Sequence, residues 1–251
     1  MNNFIQYEYN LIEPSNLSSK IILMIGRAND KLKRFNLGIK AMKYIVKELP
    51  ECKMKIISDL HKIKNLKNLI KFLKLEKNVI FVGYSSTPEI YFKNASLHIF
   101  PSISESFGLA LGETKVYGIP SILVGIDYIS IAKGGTIIIY KDDEKLIAKE
   151  AIKILKNDKL RKKLGKEARE SMKKFNSKIL LKRWIKVLLS IYNGYEYYIK
   201  IKQNDKKISE LNAITTLKRQ FKLLRKRNSK FKNIRVKDFL NFTFVKNLKN
   251  F

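Results

Sequence analysis

Short apolar runs recur along the chain, and amphipathic patterns fill the intervals between them. Ile21 to Ile25, Lys53 to Ile57, Val79 to Val82, Leu97 to Phe100, Ser121 to Val124 and Thr136 to Tyr140 are brief, β-prone and bounded by turn residues. They predict six strands. Apolar positions at helical spacing predict helices from about Asn36 to Leu49, Lys64 to Leu73, Glu89 to Lys93, Gly108 to Tyr117, Lys145 to Leu155, Lys159 to Lys174 and Ser177 to Tyr198. In the last of these, Leu180, Leu181, Trp184, Val187, Leu188 and Ile191 recur on one stripe, so Trp184 reads as a packing residue. Strands that alternate with helices through short connections argue for an α/β chain with one parallel sheet and helices on both faces. No internal repeat is evident.

The two ends depart from this alternation. Residues 1–19 carry no periodic pattern and contain the turn cluster Glu13-Pro14-Ser15-Asn16, so they read as a linker or N-terminal extension. Residues 20–200 form the expected α/β domain. Residues 201–251 interleave cations from Lys218 to Lys237 with Leu217, Phe221, Leu224 and Phe231, followed by Phe239, Leu240, Phe242 and Phe244. Such a basic amphipathic tail suits an anionic membrane surface or a nucleic acid, or packs as a helix on the body.

Charge sharpens that picture. The 251 residues hold 52 Lys and Arg against 22 Asp and Glu, a formal net charge of +30. Such a balance attracts polyanions. The chain is rich in Lys, Ile and Asn throughout, however, so much of this charge also reads as solvated surface without a partner. A single cysteine, Cys52, excludes an internal disulfide and fits a reducing compartment. No apolar run approaches the roughly 20 residues that span a bilayer, and the N-terminus lacks the basic start and apolar core of a signal peptide. The expectation is a cytoplasmic protein, peripheral on the inner face of the plasma membrane.

The chemistry concentrates between Leu97 and Gly118, in LHIFPSISESFGLALGETKVYG. Pro101 stops the strand, Ser102, Ser104 and Ser106 form a turn and offer helix N-caps, and Gly118 and Pro120 end the helix. Leu109, Leu111 and Val116 make its apolar stripe. Glu105 falls in the turn and Glu113 in the helix, whose side chains lean back toward the N-terminus. Between them, the amides of Phe107, Gly108 and Leu109 open the helix unpaired and form an anion site. A diphosphate beside these amides, flanked by hydroxyls for the two carboxylates, describes a nucleotide-sugar.

The run E-S-F-G-L-A-L-G-E followed by G-I-P resembles the E-x7-E motif of family 4 glycosyltransferases, which have the GT-B fold. The resemblance covers about residues 20–200 and implies a Rossmann-like, donor-binding domain: the C-terminal half of a GT-B fold, followed here by the basic helical tail. It implies that Glu113 binds the ribose hydroxyls and that Glu105 lies by the transferred sugar. Gly26-Arg27, followed after five residues by Lys33, is similar to the family's phosphate clamp. An Arg offers a fork of donors and a Lys a point charge for a diphosphate. The departure is Arg34, where the family commonly has glycine. Val82 and Gly83 in V-I-F-V-G-Y resemble the strand that precedes the base-binding loop, where main-chain recognition leaves the base unreadable.

The resemblance therefore implies a metal-independent, retaining glycosyltransferase acting in surface polysaccharide or glycoconjugate synthesis. Its donor would be a nucleotide-diphosphate sugar, with no further cofactor, and its acceptor an unidentified sugar or lipid-linked group. Arg27, Lys33 and the helix amides would stabilise the leaving diphosphate. Glu105 would orient the sugar or stabilise its developing charge. Because a GT-B cleft has two walls, a separate acceptor-binding domain is expected, and the chain alone would be a fragment or one half of a split enzyme. A donor-binding module without activity and a basic nucleic-acid-binding protein are the rivals. The Glu pair disfavours the latter, since carboxylates beside the anion site repel a phosphate backbone. Asp142-Asp143-Glu144 reads as a helix cap rather than a metal site. His98 and His61 read as structural, and two histidines with one cysteine make a His/Cys metal site improbable.

Overall fold

The computed structural model describes residues 12–175 and, beyond them, 179–181, 185, 188, 189, 191 and 193–195. Two compact units divide after Lys182. The first holds a six-stranded sheet of β1 (Ile21–Ile25), β2 (Lys53–Ile57), β3 (Val79–Gly83), β4 (Leu97–Phe100), β5 (Ser121–Val124) and β6 (Thr136–Ile139). The helices are α1 (Phe35–Glu48), α2 (Lys64–Phe72), α3 (Glu89–Phe92), α4 (Leu109–Val116), α5 (Glu144–Lys156) and α6 (Asp158–Met172). Every strand pair is parallel and the order is β3-β2-β1-β4-β5-β6. This is the expected α/β, Rossmann-like sheet. In the second unit, the described residues 185, 188, 189, 191 and 193–195 are helical. Trp184, Val187 and the basic segment 201–251 lie outside the described residues.

The central strands β1, β4 and β5 are buried because both faces are covered, which is why they read as mostly apolar runs, whereas β2 alternates, with Lys53 and Lys55 at its less buried positions. Ile22, Met24, Met54, Ile56, Ile99, Ile122 and Val124 face a core closed by α1 and α5, with Ile39, Met42, Ile45, Ile147 and Ala151 against them. On the other face, Phe100 and Leu123 meet Leu111 and Val116 of α4 and Met172 of α6. Leu23 and Ile57 meet Phe92 and Tyr117 there. Full burial of one such aliphatic side chain contributes about 1.5–3 kcal/mol. Cys52 lies inside this core, where burial pushes its thiol up to about 12 and leaves it unreactive.

The N-terminal extension is tied down over its described part. Ser15 N donates to Tyr117 O at 2.8 Å and Asn16 N to Lys93 O at 2.8 Å, and Ser15 Oγ donates to Ala95 O at 2.7 Å. At the other end of the sheet, Asp143 caps α5 by accepting from Lys145 N at 2.7 Å and Leu146 N at 3.3 Å, as the acidic triplet predicts.

Candidate functional site

The strand order reverses between β1 and β4, which are neighbours in space. In open parallel sheets a crevice forms outside the carboxyl ends of the strands at such a switch point. The loops that leave those two strands are 26–34 and 101–108, and they carry most of the residues singled out above. Ile103 N donates to Leu32 O at 2.8 Å, which joins the two loops. Lys33 Nζ forms an ion pair with Glu105, and both side chains are largely enclosed, at 20% and 12% exposure. Thus the expected phosphate lysine and the expected sugar carboxylate are partners in this structure.

Arg27 follows Gly26 at the end of β1 and stands 74% exposed, its Nη2 donating to Asp30 Oδ2 at 3.2 Å. An exposed pair of this kind contributes little to stability, so the guanidinium is available to a ligand at small cost. Val82 and Gly83 end β3, on the same rim but two strands away from β1. Gly83 adopts a φ of 83°, and its carbonyl accepts from Ser58 N at 3.2 Å.

Helix α4 starts without a side-chain cap. Gly108, not a serine, occupies the N-cap, with φ 82° and ψ 59°. The first bond of the ladder runs from Gly112 N to Gly108 O at 3.0 Å. The amides left open by the helix are therefore those of Gly108, Leu109, Ala110 and Leu111, so that of the expected Phe107, Gly108 and Leu109 only Phe107 falls before the cap. The reason is that the left-handed Gly108 delays the helical dihedrals to Leu109. A second correction concerns the stripe. Leu109 is 49% exposed at the mouth of the helix, whereas Leu111 and Val116 are buried. A side chain at the open N-terminus has no preceding turn to pack on.

Glu113 lies in the middle of α4, half-buried. Its pKa is raised, chiefly by desolvation and secondarily by the negative charge of Glu89 on α3. A carboxylate in that condition is ready to accept hydroxyl donors.

Three further residues shape the site: no sequence pattern marks Tyr128 or Lys115, and Arg34 stands out in the sequence only as a departure from glycine. Tyr128, in the loop after β5, accepts from Glu105 N at 3.0 Å through its hydroxyl. Lys115 is fully buried on α4, and its ammonium donates to Ile131 O at 2.6 Å and Lys133 O at 2.8 Å, clasping the same loop. Burial lowers its pKa to about 7. The third is Arg34, whose φ of 47° and ψ of 42° place it in the left-handed region. A glycine would hold that conformation without strain.

His98 sits in the centre of β4 rather than in the crevice, completely buried, with Nδ1 at 2.9 Å from Thr114 Oγ1. Desolvation lowers its pKa to about 3. An unfolded histidine titrates near about 6.5. Below that pH the unfolded chain takes up a proton that the native chain refuses, so stability falls as pH drops toward the folded value. The loss from this residue reaches about 2 kcal/mol by pH 5. In urea titrations at pH 7 and pH 5, His98→Gln should shrink the acid-induced loss by that amount, and an unchanged loss would refute the assignment.

Comparisons with known proteins bear on the family and the fold. The family model described as glycosyl transferases group 1 matches residues 9–171. The poly(glycerol-phosphate) alpha-glucosyltransferase of Bacillus subtilis is 28% identical over 152 residues, which cover 59% of this chain and 22% of that protein. The N-acetyl-alpha-D-glucosaminyl L-malate synthase of Bacillus anthracis is 30% identical over 168 residues, 66% of this chain and 42% of that protein. The chain thus spans less than half the length of either relative. Among solved structures, a Staphylococcus aureus TarM variant in complex with fondaparinux, alpha-GlcNAc-glycerol and UDP has a TM-score of 0.64 at 24% identity, over 70% of this chain and 36% of that one. The pneumococcal O-GlcNAc transferase GtfA in complex with UDP and GlcNAc gives a TM-score of 0.64 at 19% identity, over 76% and 38%. These likenesses identify the fold as that of the GT-B glycosyltransferases. With the family model covering well over half of its residues, the chain belongs to the group 1 glycosyltransferases.

Proposed function

We propose that this chain binds a nucleotide-diphosphate sugar at the C-terminal rim of its sheet and serves as the donor half of a glycosyl transfer. The observation that carries the reading is the junction of loops 26–34 and 101–108 at the switch point. There Lys33 and Glu105 meet beside the uncapped N-terminus of α4. A dianionic group fits the cationic side of this junction, with Arg27, Lys33 and the amides at Gly108 to Leu111 around it. Hydroxyl-rich groups fit the carboxylate side.

In the transfer step the bond from the sugar's anomeric carbon to the diphosphate oxygen breaks and the electron pair leaves with the diphosphate, while an acceptor hydroxyl oxygen bonds to the same carbon and its proton passes to the departing diphosphate oxygen. Arg27, Lys33 and the helix amides are aimed at that developing charge, the role a divalent metal otherwise fills. Glu105 orients the sugar or offsets its positive charge, and Glu113 holds the ribose. Retention is supported by the Bacillus subtilis relative, whose name specifies an α-glucosyl product, since an α-linked donor that gives an α-linked product retains configuration. The acceptor belongs to surface polysaccharide or glycoconjugate synthesis and is held by a separate acceptor-binding domain. The basic segment 201–251 docks against an anionic membrane face.

The test is calorimetry across a panel of nucleotide-sugars, with and without EDTA. Loss of donor binding on chelation would overturn the metal-independent reading, and absence of binding across the panel would overturn the function. Glu113→Gln tests the ribose assignment. A hydrogen bond to a charged acceptor is worth about 1.5–3 kcal/mol, so the wild-type chain should favour ribose over 2′-deoxyribose donors by at least about tenfold. The variant should discriminate several-fold less, and a variant that keeps the wild-type ratio would remove Glu113 from the site. Because the carboxyl of Glu113 titrates above its ordinary value, the wild-type preference should fade with falling pH earlier than an ordinary carboxylate would allow.

A further inference from the structure

Arg34 makes more contacts across the rim than any reading of its position in the sequence implies. Its backbone closes the turn after Asp30, with Arg34 N donating to Lys31 O at 3.3 Å, and opens α1, with its carbonyl accepting from Leu37 N at 2.9 Å. The side chain, only 13% exposed, then runs along the carboxyl ends of three strands. Nε donates to Pro101 O, just past β4, at 2.5 Å. Nη2 donates to Val124 O, the last residue of β5, at 3.0 Å. Nη1 is paired with Asp142, beyond β6. A guanidinium spreads its donors over three nitrogens in fixed directions and so reaches three separated acceptors at once, which the single nitrogen of a lysine cannot span.

We propose that Arg34 is a positioning residue of the donor site: its guanidinium fixes the loop that carries Lys33 against the loop that carries Glu105. The proposal rests on the donor-site reading above. Three successive residues tie the two loops together: Leu32 through its carbonyl to Ile103 N, Lys33 through its ammonium to Glu105, and Arg34 through Nε to Pro101 O. Of these, only the Lys33 contact must yield or be shared when an anion arrives. The other two persist and keep the crevice shaped, so a ligand meets a site that already holds its form. Arg34 also reaches the ends of β5 and β6, and so anchors the 101–108 loop to the sheet beyond it. The cost is a non-glycine residue in the left-handed region. That strain is tolerated here because the same residue supplies the staple.

Arg34→Gly removes the side chain and suits the backbone conformation, which separates the staple from the fold. Two measurements on the full chain decide the matter. Hydrogen exchange at the Ile103 amide reads the loop junction without any ligand. Calorimetry with uridine diphosphate reads its consequence. The expected result is faster Ile103 exchange, a melting temperature close to wild type, and affinity reduced by about five- to tenfold. Ethylguanidinium, supplied in solution to fill the vacated place, should restore part of that affinity. Arg34→Lys, which keeps the charge but loses the fork, should fall between the two. It also serves where the glycine variant folds poorly. Unchanged Ile103 exchange would overturn the staple. Faster exchange with unchanged affinity would overturn its role in positioning. A wild-type chain that fails to bind uridine diphosphate, while the exchange difference persists, would count against the donor-site reading and not against the staple.

Discussion

Lys33→Ala is expected to weaken nucleoside diphosphate binding by about ten- to a hundredfold, the loss of one charge-assisted hydrogen bond of about 1.5–3 kcal/mol. The effect is large because Lys33 is sheltered, at 20% exposure, and its charge is less screened than that of Arg27. It has a second cause. Removing the ammonium leaves Glu105, 12% exposed, without its ion-pair partner beside the incoming anion. The remaining carboxylate then repels the diphosphate. Glu105→Gln gives the opposite sign for the same ligand. It removes the competing negative charge, frees Lys33, and should tighten binding of a sugar-free diphosphate several-fold while weakening recognition of the sugar. Calorimetry on the two variants measures both effects. A Lys33→Ala variant within twofold of wild type would remove Lys33 from the phosphate site. Weaker diphosphate binding by Glu105→Gln would show that the ion pair organises Lys33 rather than competing for it.

The fold was legible because the parallel sheet is covered on both faces. The central strands then appear as short, mostly apolar runs, β2 keeps its lysines at its less buried positions, and all six fall within a residue of their expected bounds. The charged members of the candidate site were legible for a different reason. Gly26-Arg27, Lys33, Glu105 and Glu113 carry their chemistry in residue type and spacing, and the strand-loop-helix frame places the first four in loops at strand ends and Glu113 on the helix that follows. What escaped the sequence is contact between distant segments. The Lys33–Glu105 pair joins two residues that were each assigned to a ligand. Arg34 binds carbonyls of Pro101 and Val124, Lys115 binds carbonyls of Ile131 and Lys133, and Tyr128 accepts from the Glu105 amide. A main-chain acceptor has no side-chain identity, so nothing in the sequence marks which carbonyl a buried cation will find. The serine caps expected before α4 failed for a local reason: Gly108 takes the cap position in a left-handed conformation that no side chain is needed to hold.

Gly135→Ala is expected to destabilise the domain by about 3–5 kcal/mol, a large fraction of the 5–15 kcal/mol that holds a typical domain together. Gly135 precedes β6, and its carbonyl accepts from Ser121 N at 3.0 Å, which fixes it in the sheet. A Cβ there would lie 2.2 Å from Leu164 O and 2.4 Å from Ala168 N. Both are backbone atoms of α6, so relief requires moving the helix rather than turning a side chain. The φ of +64° adds left-handed strain of about 1–2 kcal/mol. Gly125 separates the two causes. It has a comparable φ of +73°, yet a Cβ there meets nothing within 4 Å. Gly125→Ala should therefore show the strain alone, about 1–2 kcal/mol, further reduced by the lower entropy of the unfolded chain. Urea unfolding of the two variants gives the comparison. Equal losses would mean that α6 yields freely at Gly135, and that the close seating of this helix on the β6 edge does not hold the sheet's far side in place.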